Sequence, residues 1–254
     1  YDVTGVQTCA LPIYQATRAG QHAKTFLQGF SGYLQVDGFA GYHALEAEDC
    51  LLVGCMAHAR RKFDEAFKAL PKASRGNKVG MVQTALRKIT RLYAIEKQIK
   101  DLPVQQRYLI RQEKSKPILN DLKQWCDQSA TKTSKDSVLG KAIRYTLNQW
   151  TYLIRYLDDG HLQIDNNAAE RHIKPFVIGR KNWLFSQTPR GADASAVLYS
   201  LVQTAIANNL EPFEYLKHLL TELPKLGRHY EDEALDPFLP WNSTEKIKAL
   251  NKAA

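Results

Sequence analysis

Two acidic residues, Asp37 and Glu170, stand where a carboxylate could do chemistry. Asp37 follows the apolar run YLQV and precedes Gly38, so it lies at the end of an expected strand. Ligands of open α/β sheets gather beyond the carboxyl ends of strands. A carboxylate there offers the hard oxygens that magnesium takes. An ordinary Asp-Gly turn accounts for the same pair without a ligand. Glu170 lies in IDNNAAERHIKPFVIGRKNWLF, residues 164–185, a single glutamate at the head of a cationic run. Helical numbering puts Asn166, Glu170 and Lys174 on one face, with Asn167 and Arg171 on the next. Asn167 and Glu170, three apart, also have the spacing of a capping box. Residue types alone support cap and catalytic acid equally.

The cations nearby suit a polyanion. Pro175 is expected to end the helix and leave Arg180, Lys181 and Trp183 in a loop. Cations beside an indole match a nucleic-acid backbone and an unstacked base. Upstream, CMAHARRKF places Cys55 and His58 at metal-like spacing. Zinc needs four ligands and no second Cys/His pair lies near in sequence, so zinc ranks second. His58 reads better as orienting phosphate or backbone, with Arg60 and Arg61 as phosphate contacts or as a solvated helix face. No glycine-rich phosphate loop or Ser/His/Asp ordering is present.

The elements that must position these groups follow from periodicity. A helix is expected over 17–30, a strand at 33–36, a short helix around 41–48 and a strand within Cys50–Ala57. An amphipathic helix over 58–70 ends at Pro71. Residues 71–157 read as helices: a stripe of Leu86, Ile89, Leu92, Tyr93 and Ile99, a second from Leu109 to Trp125, and a third over 138–157. HLQI, residues 161–164, reads as extended. Helices are expected again over 191–209 and 211–223, with Pro212 in the first turn of the latter. Residues 1–13, YDVTGVQTCALPI, carry no patterning and read as a non-native artefact; the bland alternative is a genuine N-terminal strand.

Charge is concentrated. Residues 71–145 hold 17 Lys/Arg against 6 Asp/Glu, while the whole 254-residue chain nets +9. Such a local basic stripe fits DNA through phosphate neutralisation. The bland alternative is a lysine-rich solvated surface. No apolar run is long enough to span a membrane. Four irregularly spaced cysteines point to reduced thiols in a cytoplasmic protein.

The phrases GYLQVDGFAGYHAL, GCMAHARRKFDEA, KAIRYTLNQW, IDNNAAERHIKPFVIGRKNWLF and LVQTAIANNLEPFEYL, in that order, resemble the transposases of bacterial insertion-sequence family 66. The resemblance implies an α/β, ribonuclease H-like core with an Asp-Asp-Glu triad holding two Mg2+ ions, with Mn2+ as a substitute. Asp37 matches the second aspartate and Glu170 the glutamate. The family's first aspartate has no counterpart here, which implies a fragment truncated at its N-terminus and inactive alone. The implied organisation is a partial core over 14–70, a basic helical insertion over 71–157, core helices with the glutamate over 158–223 and a tail over 224–254. The implied activity is metal-dependent cleavage and strand transfer of double-stranded transposon and target DNA. An active oligomer and accessory proteins of the element are implied partners. A non-catalytic DNA-binding helical protein and a ribonuclease H-like nuclease remain the alternatives.

Overall fold

The computed structural model describes residues 12–48, 50–71, 80–183, 186–227 and 229–243. The N-terminal peptide expected to be non-native lies outside these for residues 1–11. The chain divides into two compact units: residues 18–167, and residues 168–254 together with 1–17.

In the first unit, α1 (Gly20–Phe26) leads to β1 (Gly32–Gln35). A 3-10 run, Ala40–Glu48, then crosses to β2 (Cys50–Val53). The strands pair in parallel, with Gly32 opposite Cys50 and Gln35 opposite Val53. The Val36 N–H donates to the Val53 carbonyl and adds one further rung. Parallel pairing puts the carboxyl ends of both strands, and so Asp37 and Gly54, on one edge. Leu34 and Leu52 face the small cluster of Val36, Leu45 and Cys50. Tyr33 and Leu51, on the opposite face, are exposed.

Helices α2 (Met56–Lys68), α3 (Met81–Ile99), α5 (Lys116–Ala130) and α6 (Val138–Asn148) share the main core. The buried set of α2, namely Met56, Ala59, Phe63 and Ala66, recurs at three and four residues, as one helical face requires. From α3 the same core takes Ala85, Ile89 and Leu92. Between α4 (Val104–Ile110) and α5 a single π turn, Arg111–Ser115, keeps the helix continuous and buries Arg111 and Ser115. Pro117 is the second residue of α5, directly after the π turn.

The expected helix over 138–157 is interrupted. It consists of α6, α7 (Trp150–Ile154) and a 3-10 turn, Arg155–Leu157. The cause is tertiary: the Tyr152 carbonyl accepts the Gly54 N–H, and Arg155 Nη1 donates to the Leu52 carbonyl. These bonds tie the segment to the end of β2 instead of to its own next turn. A Cβ on Gly54 would meet the Tyr152 and Leu153 backbone at 3.1 Å, so the approach needs glycine. HLQI forms no strand; the Ile164 carbonyl accepts the Met56 N–H.

The second unit holds α8 (Asn167–Trp183, starting at the boundary), α9 (Pro189–Ala207) and α10 (Pro212–Glu222). Thr188 caps α9 by accepting the Gly191 N–H, and Glu211 caps α10 by accepting the Glu214 N–H. Asn209 takes the left-handed conformation, φ 59°, between them. Ala205, Leu210, Tyr215 and Leu219 form its core, and the Tyr215 hydroxyl donates to the Phe238 carbonyl. No described helix is long and apolar enough to cross a membrane.

Candidate functional site

Asp37 directly follows the last rung of the strand pair and is exposed. Its Oδ1 accepts the Phe39 N–H at 2.9 Å, which folds the turn back over the strand end. Gly38 makes that turn feasible on two counts. Its φ is +84°, and an added Cβ would lie 2.9 Å from the Tyr145 hydroxyl of α6.

Tyr145 is the common neighbour at this edge. Burial pushes its phenol up to about 12, with the fields of Cys55 and Asp37 adding and that of Arg61 opposing. Lys62 Nζ lies 4.9 Å from its ring centre. Sequence reading assigns Tyr145 no role; its place on the inner face of α6 is the one local signal.

The start of α2 brings in Cys55 and His58. The Cys55 thiol is buried and held above its ordinary range by that burial. Its carbonyl accepts the His58 N–H and its sulfur accepts the Asn166 N–H at 3.3 Å. Arg60 lies over the Tyr93 ring at 5.7 Å and loosely pairs with Asp64, whereas Arg61 is exposed. Asp37, Cys55, His58, Arg60, Arg61, Asn166 and Asn167 thus all belong to the first unit, around the carboxyl edge of β1 and β2 and the start of α2.

Glu170 lies in the first turn of α8, and Arg171 and Lys174 are exposed on the same helix. Pro175 does not end the helix, which runs on to Trp183. Arg180, Lys181 and Trp183 are therefore helical residues, not loop residues; a proline inside a helix forfeits one bond and bends it without necessarily stopping it. Asn167 is the first helical residue, and both its N–H and its side-chain amide donate to Asp165, at 3.1 and 2.7 Å. Asp165 also accepts the Tyr93 hydroxyl at 2.8 Å. Sequence spacing misses Asp165 because one of its partners lies 72 residues away.

The profile described as "Transposase IS66 family" matches residues 7–194, and that of the IS66 C-terminal element matches residues 200–241. The chain belongs to the IS66 family. It is 33% identical to the uncharacterized protein y4hP of Sinorhizobium fredii over 243 residues, 90% of this chain and 43% of that protein. It is 32% identical to the uncharacterized protein y4jD of the same organism, across 91% of this chain and 45% of that one. The chain spans less than half the length of these relatives. No solved structure matches it.

Proposed function

We propose that this chain is the part of a DNA transposase that supplies Asp37 and Glu170 as metal-holding carboxylates in a ribonuclease H-like, Asp-Asp-Glu arrangement. The observation that carries the reading is Asp37, an exposed carboxylate at the carboxyl edge of a parallel strand pair, in a chain of the IS66 family. The donor chemistry fits: Mg2+ takes carboxylate oxygens, and one oxygen of Asp37 is oriented by the Phe39 N–H. When bound, paired Mg2+ ions activate an attacking oxygen and stabilise the leaving oxygen in displacement at a phosphodiester.

The protein groups have separate tasks in this reading. Asp37 and Glu170 hold the ions, with Mn2+ able to substitute. His58, Arg60, Arg61, Asn166, Asn167, Arg171, Lys174, Arg180, Lys181 and Trp183 contact the DNA, and the basic helices of 71–157 add phosphate attraction. The substrate is double-stranded DNA at transposon ends and target, cut and then joined through the freed 3′-hydroxyl. Oligomerisation and accessory proteins of the element belong to the same proposal.

One observation favours a second reading. The bond from Phe39 N–H to Asp37 is what an Asx turn makes for purely local reasons. A non-catalytic DNA-binding role would then suffice. Calorimetry with Mg2+ and a duplex-DNA binding assay separate the two. The catalytic reading expects Mg2+ binding to be lost in Asp37→Asn and in Glu170→Gln while DNA affinity holds. Mg2+ binding that survives both substitutions overturns it.

A further inference from the structure

We propose that Asp165, held by Tyr93, is a positioning residue that fixes where α8 begins and with it the turn that carries Glu170. This rests on the reading of Glu170 as a metal-holding carboxylate. Asp165 accepts three hydrogen bonds. Its Oδ1 takes the Asn167 N–H, while its Oδ2 takes the Asn167 side-chain amide and the Tyr93 hydroxyl. The first of these satisfies a backbone donor at the start of α8, the task of a cap. The third comes from α3, within the basic helical segment.

The residues on either side of Asp165 are fastened as well. The Ile164 carbonyl accepts the Met56 N–H, and the Asn166 N–H donates to Cys55 Sγ. Four consecutive residues, 164–167, are therefore bound by the junction of β2 with α2, by α3, or by one another. Tyr93 is suited to a permanent donor role: burial and the adjacent Asp165 carboxylate drive its phenol far above the ordinary range, so the proton stays in place. Arg60 lies over the Tyr93 ring, 5.7 Å from its centre. The start of α8 is thus set by contacts distant in sequence, one of them from α3.

The test uses the 254-residue chain and two variants, Tyr93→Phe, which deletes one oxygen, and Asp165→Asn. Amide hydrogen exchange at residues 167–171 is followed together with Mn2+ titration and thermal melting. Each variant is expected to accelerate exchange at 167–171 by about fivefold to tenfold, the scale of a lost cap. Mn2+ affinity is expected to fall roughly tenfold, as when the partner of a metal ligand is removed. Exchange in α3 and the melting temperature should stay close to those of the parent. Unchanged exchange at 167–171 in both variants overturns the proposal, as does acceleration spread evenly over α3 and α8. Should Tyr93→Phe not fold, Asp165→Asn carries the same readout. If Mn2+ binds none of the three proteins, the metal reading of Glu170 falls, and the exchange data still decide the role of Tyr93 and Asp165.

Discussion

Arg111 and Glu96 meet in a two-pronged ion pair: Nε donates to Oε1 at 2.9 Å and Nη2 to Oε2 at 2.6 Å. The remaining donors reach the carbonyls of Tyr156, Asp159 and Leu162. Five donors thus find five acceptors around a side chain with no solvent exposure. The pair fastens the π turn to α3, and the three carbonyl bonds fasten it to the segment that leads towards Asp165. Arg111→Ala should destabilise the chain by about 3–5 kcal/mol in urea unfolding, since it strands buried acceptors and a half of the pair. Arg111→Lys should restore only part of this, because an ammonium brings three donors to five acceptors. A loss below about 1 kcal/mol, the scale of a surface pair, would show that the node is dispensable.

Gly38 and Gly29 provide a matched comparison. Their φ values are +84° and +80°, but only Gly38 has a side chain, Tyr145, in the way of a Cβ. Gly29→Ala should cost about 1–2 kcal/mol for the left-handed backbone alone. Gly38→Ala should cost more and should also weaken Mg2+ binding, because the turn carrying Asp37 must shift. Equal losses from the two substitutions, with Mg2+ binding intact, would detach Tyr145 from the site.

Stability should fall in mild alkali. Burial pushes the Cys126 thiol to about 12 from an ordinary 9.0, and the Tyr145 and Tyr215 phenols to about 12 from 10.0. These groups are raised in the folded state, so their contribution is intact below the unfolded values and is lost as pH climbs from about 9 towards 12. The urea midpoint should be level near pH 8 and decline by about pH 10.5. Cys126→Ala should shallow that decline even if it lowers the midpoint. A midpoint that rises with pH contradicts the burial.

The basic segment is partly self-neutralised. Lys88 pairs with Asp121, and Lys123 with Asp127 at 2.8 Å, whereas Lys114 and Lys116 are exposed and separate from these pairs. Reversing Lys114 and Lys116 to glutamate should weaken duplex-DNA binding at every sequence. It should also reduce the salt slope by about 1 for each phosphate that these lysines neutralise. Reversing Lys123 should do less. An unchanged slope would make these lysines bystanders.

Local chemistry is readable in the sequence, and distant chemistry is not. The apolar runs YLQV and Cys50–Ala57 announce the two strands, the second of which stops at Val53, and recurrence at three and four residues announces α2, offset by only two residues. Pro212 and Asn209 mark the helix ends as their backbone preferences require. Pro175 misleads, because a proline in a helix bends it as readily as it ends it. The break at Gln149 has no local marker; it comes from bonds between Tyr152 and Gly54 and between Arg155 and Leu52. Spacing points to Asn167 at the start of α8 but not to Asp165, which accepts the Asn167 N–H and the Tyr93 hydroxyl. Pairings across 72 to 103 residues leave no trace in a periodicity.

The central claim is that Asp37 and Glu170 hold metal together. Iron(II) can replace magnesium at carboxylate sites, and with ascorbate and peroxide it cuts the backbone beside the bound ion. Mapping those cuts by mass spectrometry tests the claim directly. Cuts next to both residue 37 and residue 170, suppressed by excess Mg2+ and absent in Asp37→Asn and Glu170→Gln, are the predicted result. Cuts beside only one of them, or a pattern that neither substitution alters, would contradict it.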